Sequence, residues 1–143
     1  MKKILFTFLL IIGISCVSMG QEFGLRFGNF GYNGVAIDGV FQAGKFSRIH
    51  ADAYFNDGLG LDVLWDFLYK PLGEEAFNWY LGAGPYTFLS DNFQLGVAGE
   101  AGIEYHFNGA PLALGLDWRP YLRIIDNTDM YWDSFGLNIR FVF

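Results

Sequence analysis

Phe135, Leu137, Ile139, Phe141 and Phe143 take alternate positions near one end of the chain, with Gly136, Asn138, Arg140 and Val142 between them. Successive side chains of a strand point to opposite faces, so this period-two pattern predicts a strand with one apolar and one polar side. The pattern recurs upstream. Residues 22–28 set Phe23, Leu25 and Phe27 against Gly24, Arg26 and Gly28, and residues 35–41 set Val35, Ile37 and Phe41 against Ala36, Asp38 and Val40. Residues 47–55 set Ile49, Ala51, Ala53 and Phe55 against Arg48, His50, Asp52 and Tyr54. A fourth strand sets Leu61, Val63, Trp65, Phe67 and Tyr69 against Gly60, Asp62, Leu64, Asp66 and Leu68. Residues 78–88 set Trp79, Leu81 and Ala83 against Tyr80, Gly82, Gly84 and Tyr86. Residues 93–107 set Leu95, Val97, Ala101, Ile103, Tyr105 and Phe107 against Gln94, Gly96, Ala98, Glu100, Gly102, Glu104 and His106. Residues 112–123 set Leu112, Leu114, Leu116, Trp118 and Leu122 against Ala113, Gly115, Asp117, Arg119, Tyr121 and Arg123. Turn signals separate these runs at 31–34, 42–45, 56–58, 70–76, 90–92 and 108–109, with a loop at 124–130.

Eight such strands predict an all-β fold: a closed, antiparallel, up-and-down β-barrel. Alternation alone leaves open which face is inside. A soluble, lipocalin-like barrel turns its apolar face inward to a ligand, and a transmembrane barrel turns it outward to lipid. The apolar face here carries Leu, Phe, Trp and Ile on nearly every strand, too much bulk for a narrow interior. The other face is rich in Gly and Ala with scattered charges, which suits the crowded lumen of an eight-stranded barrel. Composition agrees: 20% of residues are aromatic and 17% charged, yet the predicted strands contain no long apolar run that a membrane helix would need. The expectation is an eight-stranded transmembrane β-barrel. Tilted strands of about ten residues suffice to cross a bilayer.

The start of the chain adds a location. Lys2 and Lys3 precede an apolar run from Ile4 to Ile14, and Ser18 and Gly20 place small residues before a cut ahead of Gln21. Residues 1–20 read as a secretory signal peptide and residues 21–143 as the barrel. Cys16, the only cysteine, lies inside the leader, where Gly13 spoils a lipoprotein motif, so no thiol chemistry is predicted for the mature chain. Loss of the two lysines takes the formal charge from −6 to −8, which argues against nucleic acid as a partner.

The inward face gathers the candidate chemistry: Arg26, Asp38, Arg48, His50, Asp52, Asp62, Asp66, Glu100, Glu104, His106, Asp117, Arg119, Arg123 and Arg140. Charges in a narrow lumen must pair or hold water, so the prediction is a salt-bridge network that fills the barrel. The competing reading is a narrow, porin-like ion path. Catalysis finds little support. His50 and His106 fall at different heights and are not expected to share a metal or a proton relay. Ser47, Ser90 and Ser134 have no histidine at motif spacing, and no nucleophile motif is present. Gly96, Gly99 and Gly102 lack the strand-to-helix context of a phosphate loop and read as relief of crowding. Asp126, Asp129 and Asp133 read as a solvated acidic loop rather than a cation site. No catalytic residue, metal ligand or cofactor is predicted.

On the apolar face, Tyr69, Trp79, Tyr105 and Phe107 gather with Phe143 at one rim and predict an interfacial aromatic girdle. Pro85 and Pro120 fall inside strands of a sheet without edges, so each predicts a bulge or a strand's emergence. If the N-terminus lies on the inner side of the membrane, the external loops are short, which weakens an adhesin or receptor reading.

Phe135, Leu137, Ile139, Phe141 and Phe143 resemble the closing strand and terminal Phe of bacterial outer-membrane barrels, the segment read by their assembly machinery. The whole layout resembles small eight-stranded barrels of the OmpA/OmpX type, as architecture. The run from Gly102 through His106 to Phe107, followed by Pro111 through Trp118 to Pro120, looks like blocks of a group of uncharacterised small outer-membrane barrels. These resemblances imply fold and location only, a barrel in the bacterial outer membrane, and the expectation built on them is a monomer. Its partners would be membrane lipid, lipopolysaccharide and the barrel assembly machinery, and its role structural or in membrane integrity. Lipid A-modifying enzymes also use eight-stranded barrels. A lipid A enzyme, a surface interaction protein and a periplasmic lipocalin-like carrier are the alternatives.

Overall fold

The structure, a computed structural model, describes residues 20–29, 33–55, 57–73 and 76–143. The expected leader, apart from Gly20, and parts of the turns at 31–34, 56–58 and 70–76 lie outside the described residues.

Ten strand segments make the fold: β1 (Gln21–Asn29), β2 (Asn33–Gly44), β3 (Ser47–Phe55), β4 (Leu59–Pro71), β5 (Phe77–Leu89), β6 (Phe93–His106), β7 (Leu112–Trp118), β8 (Tyr121–Ile125), β9 (Asp129–Tyr131) and β10 (Phe135–Val142). β7 and β8 are two halves of one staves' length, and so are β9 and β10, so the wall has eight strands. Each strand pairs antiparallel with its neighbour, β5 joins β6, and β1 joins β10 from Glu22 opposite Val142 to Gly28 opposite Gly136. The fold is the closed antiparallel eight-stranded barrel that the alternation predicts. The turns after β1, β3, β5 and β8 share one end. Gln21, Phe143 and the remaining turns share the other, where the Phe143 amide donates to the Gln21 carbonyl at 2.9 Å.

The two in-strand prolines are accommodated differently. Pro120 interrupts the seventh strand, yet the pairing with β6 keeps its register across the gap, from Ala101 opposite Trp118 to Ala98 opposite Tyr121. The irregularity falls on the eighth strand instead. Residues 132–134 stand opposite residues 119–120 between the Trp118–Phe135 and Tyr121–Tyr131 pairs, and the Arg119 amide donates to the Ser134 carbonyl at 2.8 Å. Pro85 makes no bulge. It pairs with Val97 in unbroken register, and on its other side the β4–β5 ladder has no pair between Asp62–Tyr86 and Trp65–Ala83.

A bulge between Asp66 and Leu68 corrects one sequence assignment. Beyond it the faces of β4 exchange. Leu68 pairs with the outward Leu81, and Tyr69 pairs with the inward Tyr80. Tyr69 therefore leaves the predicted girdle and points into the lumen, with its ring 4.3 Å from the Arg48 guanidinium. On the outside of the same end, the Tyr105 ring lies 4.8 Å from Phe77 and 5.0 Å from Phe107, and Phe141 lies 5.0 Å from Phe143. Trp79, the third residue of β5, lies at the same end.

The outward face of every wall strand exposes large apolar side chains, among them Phe23, Ile37, Trp65, Leu116 and Ile139. The inward face is close-packed. Tyr80 lies over its cross-strand neighbour Gly102, and Tyr54 over Gly60, so that a Cβ at either glycine would run into the ring. Within the Gly96–Gly99–Gly102 run, Gly99 faces outward, where a Cβ would meet nothing nearer than 3.6 Å.

Candidate functional site

The lumen holds the site. Eight carboxylates (Glu22, Asp38, Asp52, Asp62, Asp66, Glu100, Glu104 and Asp117), four arginines (Arg26, Arg48, Arg119 and Arg140) and His50 are buried there. Strand parity puts them inside; barrel closure brings together residues far apart in sequence.

At the end carrying Gln21 and Phe143, Arg48 donates from Nε to Asp66 Oδ2 at 2.7 Å and from Nη1 to Glu104 Oε1 at 2.7 Å. Its guanidinium also lies 4.5 Å from the Tyr80 ring. His106, with 29% of its side chain exposed, sits at this mouth with Nε2 3.0 Å from Glu104 Oε1 and 3.4 Å from Glu22 Oε1. Arg140 forms the next layer. It donates from Nε to Asp38 Oδ2 at 2.7 Å, and from Nη1 to Glu104 Oε2 at 2.9 Å and Glu22 Oε2 at 3.2 Å.

His50 occupies the middle. Its Nε2 lies 2.8 Å from Asp38 Oδ1, and its Nδ1 lies 3.0 Å from Glu100 Oε2 and 3.2 Å from Oε1. Towards the opposite end, Arg119 is the hub. Its Nη1 binds Asp52 and reaches Asp62 Oδ2 at 3.2 Å, and its Nη2 donates to Glu100 Oε2 at 2.9 Å. The Tyr121 hydroxyl donates to Asp62 Oδ2 at 2.8 Å. Arg26 makes a bidentate pair with Asp117, from Nε at 2.9 Å and from Nη2, and Asn138 Nδ2 adds a bond to Asp117 at 2.9 Å. Above this layer, stacked Tyr54 and Phe88 (centroids 6.2 Å apart) and edge-to-face Tyr86 and Tyr121 (5.0 Å) stopper the lumen. The described interior is thus lined and crossed by ion pairs and rings.

Of the predicted inward set, Arg123 stands apart. It lies beyond the aromatic stopper, donating to Asp129 Oδ2 at 2.6 Å and to the Asn127 carbonyl at 3.0 Å. His50 and His106 belong to separate clusters. Sequence reasoning missed Glu22, Asn138, Tyr69, Tyr80 and Tyr121 as members of the network. Parity with Arg26 and Arg140 was an available signal for Glu22 and Asn138, whereas only the bulge reveals Tyr69. Ser90 Oγ donates to the Asn92 carbonyl at 3.1 Å and Ser134 Oγ to the Asn29 carbonyl. No serine hydroxyl among the described residues bonds a histidine.

The network is not balanced. Carboxylates outnumber guanidiniums two to one, and Oδ1 of Asp52, Asp62 and Asp66 accepts no hydrogen bond, while Arg48 Nη2 and Arg119 Nε are also unmatched. Buried, unpaired carboxylate oxygens are costly, so such a site favours uptake of positive charge.

No family model matches the chain, and no curated protein matches it.

Proposed function

We propose that this chain is an integral outer-membrane β-barrel, monomeric and non-enzymatic, whose role is structural and supports membrane integrity. One observation carries the reading: the barrel is inside out relative to a soluble one. Its exterior is a continuous belt of exposed Phe, Leu, Ile, Val and Trp, and its interior is charged. Water-soluble monomers rarely expose contiguous apolar patches beyond a few hundred Å². Hydrocarbon solvates such a belt, and a closed barrel satisfies the backbone polar groups of the wall without water. The rings outside the Gln21–Phe143 end suit a membrane interface, where aromatic residues concentrate.

A plugged lumen supports a wall-building role over a conducting one. The cross-linked arginines and the Tyr54–Phe88 stopper favour a closed pore. A lipocalin-like carrier needs an apolar interior, and here most large apolar side chains are on the outside, while the inside is dominated by charged groups. The leader at residues 1–20, the assembly signal ending at Phe143, and lipid and lipopolysaccharide as surroundings complete the proposal.

The test is the mobility of the detergent-folded protein on SDS gels, cold against boiled, together with its far-ultraviolet circular dichroism and its distribution between membrane and soluble fractions. A membrane-fraction protein with strong β signal and a heat-modifiable band is expected. A water-soluble β protein without that shift overturns the proposal.

A further inference from the structure

We propose a buried divalent-cation site in the lumen, formed by His50 Nδ1, Asp66 Oδ1 and Glu100 Oε1. Asp66, Gly82 and Glu100 are cross-strand neighbours on β4, β5 and β6. The middle residue has no side chain, and a Cβ there would collide with Asp66 Oδ1. The gap over Gly82 thus admits the Asp66 carboxylate, and Oδ1 is the oxygen that turns into it. That atom is buried and accepts no hydrogen bond from any nitrogen or hydroxyl donor, its neighbour across the gap being the Glu100 carboxylate, whereas Oδ2 is held by Arg48 Nε at 2.7 Å. Glu100 also has one oxygen that no arginine holds, although His50 Nδ1 lies within 3.2 Å of both of its oxygens. Arg119 takes Oε2 at 2.9 Å, and Oε1 lies 3.2 Å from His50 Nδ1.

The third ligand is oriented from behind. His50 Nε2 donates its proton towards Asp38 Oδ1 at 2.8 Å, and Nδ1, which shares a proton with Glu100 at 3.0 Å from Oε2 and 3.2 Å from Oε1, releases that proton when a metal ion takes its place. A carboxylate behind the ring is the usual second-shell support for a metal-binding histidine. One ligand atom from each of His50, Asp66 and Glu100 lies within 4.8 Å of the others. The 3.2 Å between Nδ1 and Oε1 is close to the roughly 3.3 Å edge of a tetrahedron with bonds of about 2.0 Å. One imidazole with two carboxylates suits Zn²⁺ or a similar first-row ion better than Mg²⁺ or Ca²⁺, which prefer all-oxygen sets. A divalent ion also offsets half of the excess of four carboxylates over arginines.

The neighbouring Glu22–Glu104–His106 group lacks this opening. Both Glu104 oxygens are taken by arginines, at 2.7 Å (Arg48) and 2.9 Å (Arg140), and no orphaned oxygen faces it. The proposed site does not rest on the barrel sitting in a membrane, because all three of its ligands come from the buried lumen.

The test is to purify the full chain in detergent, refold it with Zn²⁺ or Co²⁺, pass it through a chelator-washed column, and count retained metal by mass spectrometry. Stoichiometric retention is expected, with visible absorption from the Co²⁺ form. Asp66→Asn and Glu100→Gln should each weaken binding at least about tenfold, and His106→Gln should leave it unchanged. X-ray absorption on the Zn²⁺-loaded wild type covers the case in which the variants do not fold, and should count a single imidazole with oxygen ligands. A folded wild type that retains no metal overturns the proposal, assigning His50 to an imidazolium held between Asp38 and Glu100. Binding indifferent to both carboxylate variants, binding lost in His106→Gln, or any other imidazole count also overturns it.

Discussion

Replacing Arg119 by methionine removes the charge but keeps much of the aliphatic bulk. The guanidinium contacts Asp52, Asp62 at 3.2 Å and Glu100 at 2.9 Å, and lies 3.9 Å from Asp117. Two unit charges 4 Å apart attract by about 4 kcal/mol at an effective dielectric constant near 20, but desolvation offsets most of that in the intact protein. The asymmetry appears when one partner goes. Deleting one member of a buried ion pair costs about 3–5 kcal/mol, because the other charge stays buried. Arg119 serves several carboxylates, and their remaining partners compensate only in part: His50 for Glu100, Tyr121 for Asp62, Arg26 and Asn138 for Asp117. The predicted loss is at the upper end, about 5 kcal/mol, comparable to the whole stability of many domains. Arg123→Met is the control. Its pair with Asp129 is solvent-facing and worth at most about 1 kcal/mol. Asp52→Asn in the Arg119→Met background removes one stranded charge and should recover part of the loss. The assay is equilibrium urea unfolding in micelles, followed by tryptophan fluorescence and cold-gel mobility. If Arg119→Met loses no more stability than Arg123→Met, the lumen network does not hold the barrel together and the reasoning fails.

Further outcomes follow from the same geometry. Gly102→Ala should destabilise by about 1–3 kcal/mol because its Cβ meets the Tyr80 ring, whereas Gly99→Ala, three residues away and facing outward, should be near neutral; the same unfolding assay separates them. Ile139→Arg on the outward face should cost about 2–4 kcal/mol if the belt lies in hydrocarbon, and much less if it lies in water, as read by folding yield in lipid vesicles. Deleting Phe143 should lower the fraction of chain assembled in the membrane, counted on cold gels, and unchanged assembly would oppose its role in the closing strand. Planar bilayers should show no stable, ion-selective openings from the wild type, and such openings would replace the plugged lumen with a channel.

The faces of the strands were legible in the sequence because each has one apolar and one polar side. Parity placed Asp38, His50, Glu100 and Arg140 inside without any knowledge of their partners. It failed at Tyr69 because Phe67, Leu68 and Tyr69 are all apolar or aromatic, so a bulge that exchanges their faces leaves no trace in the pattern. Pro120 itself signalled a bulge or a strand's emergence, but the extra residue sits on the facing strand, where nothing in residues 132–134 announces it. The pairings themselves were not legible. Arg119 and Asp52 lie on strands that do not adjoin in the wall, and their meeting depends on the stagger with which the barrel closes. The gap above Gly82 is of the same kind, since a glycine among many glycines acquires meaning only from the carboxylates on either side.

The join between β1 and β10 orders the folding of this chain. It unites segments separated by nearly the whole described length, the type of contact that forms slowest in a folding chain. Glu22 and Arg26 lie on one side of the join and Asn138 and Arg140 on the other, so the strands that shut the cylinder also carry two of its four buried cations. Until they meet, the interior is an open trough whose acids and arginines are still hydrated. Shutting the cylinder and drying its charges are therefore one event, and a chain stalled before it would present a polar groove rather than a smaller barrel.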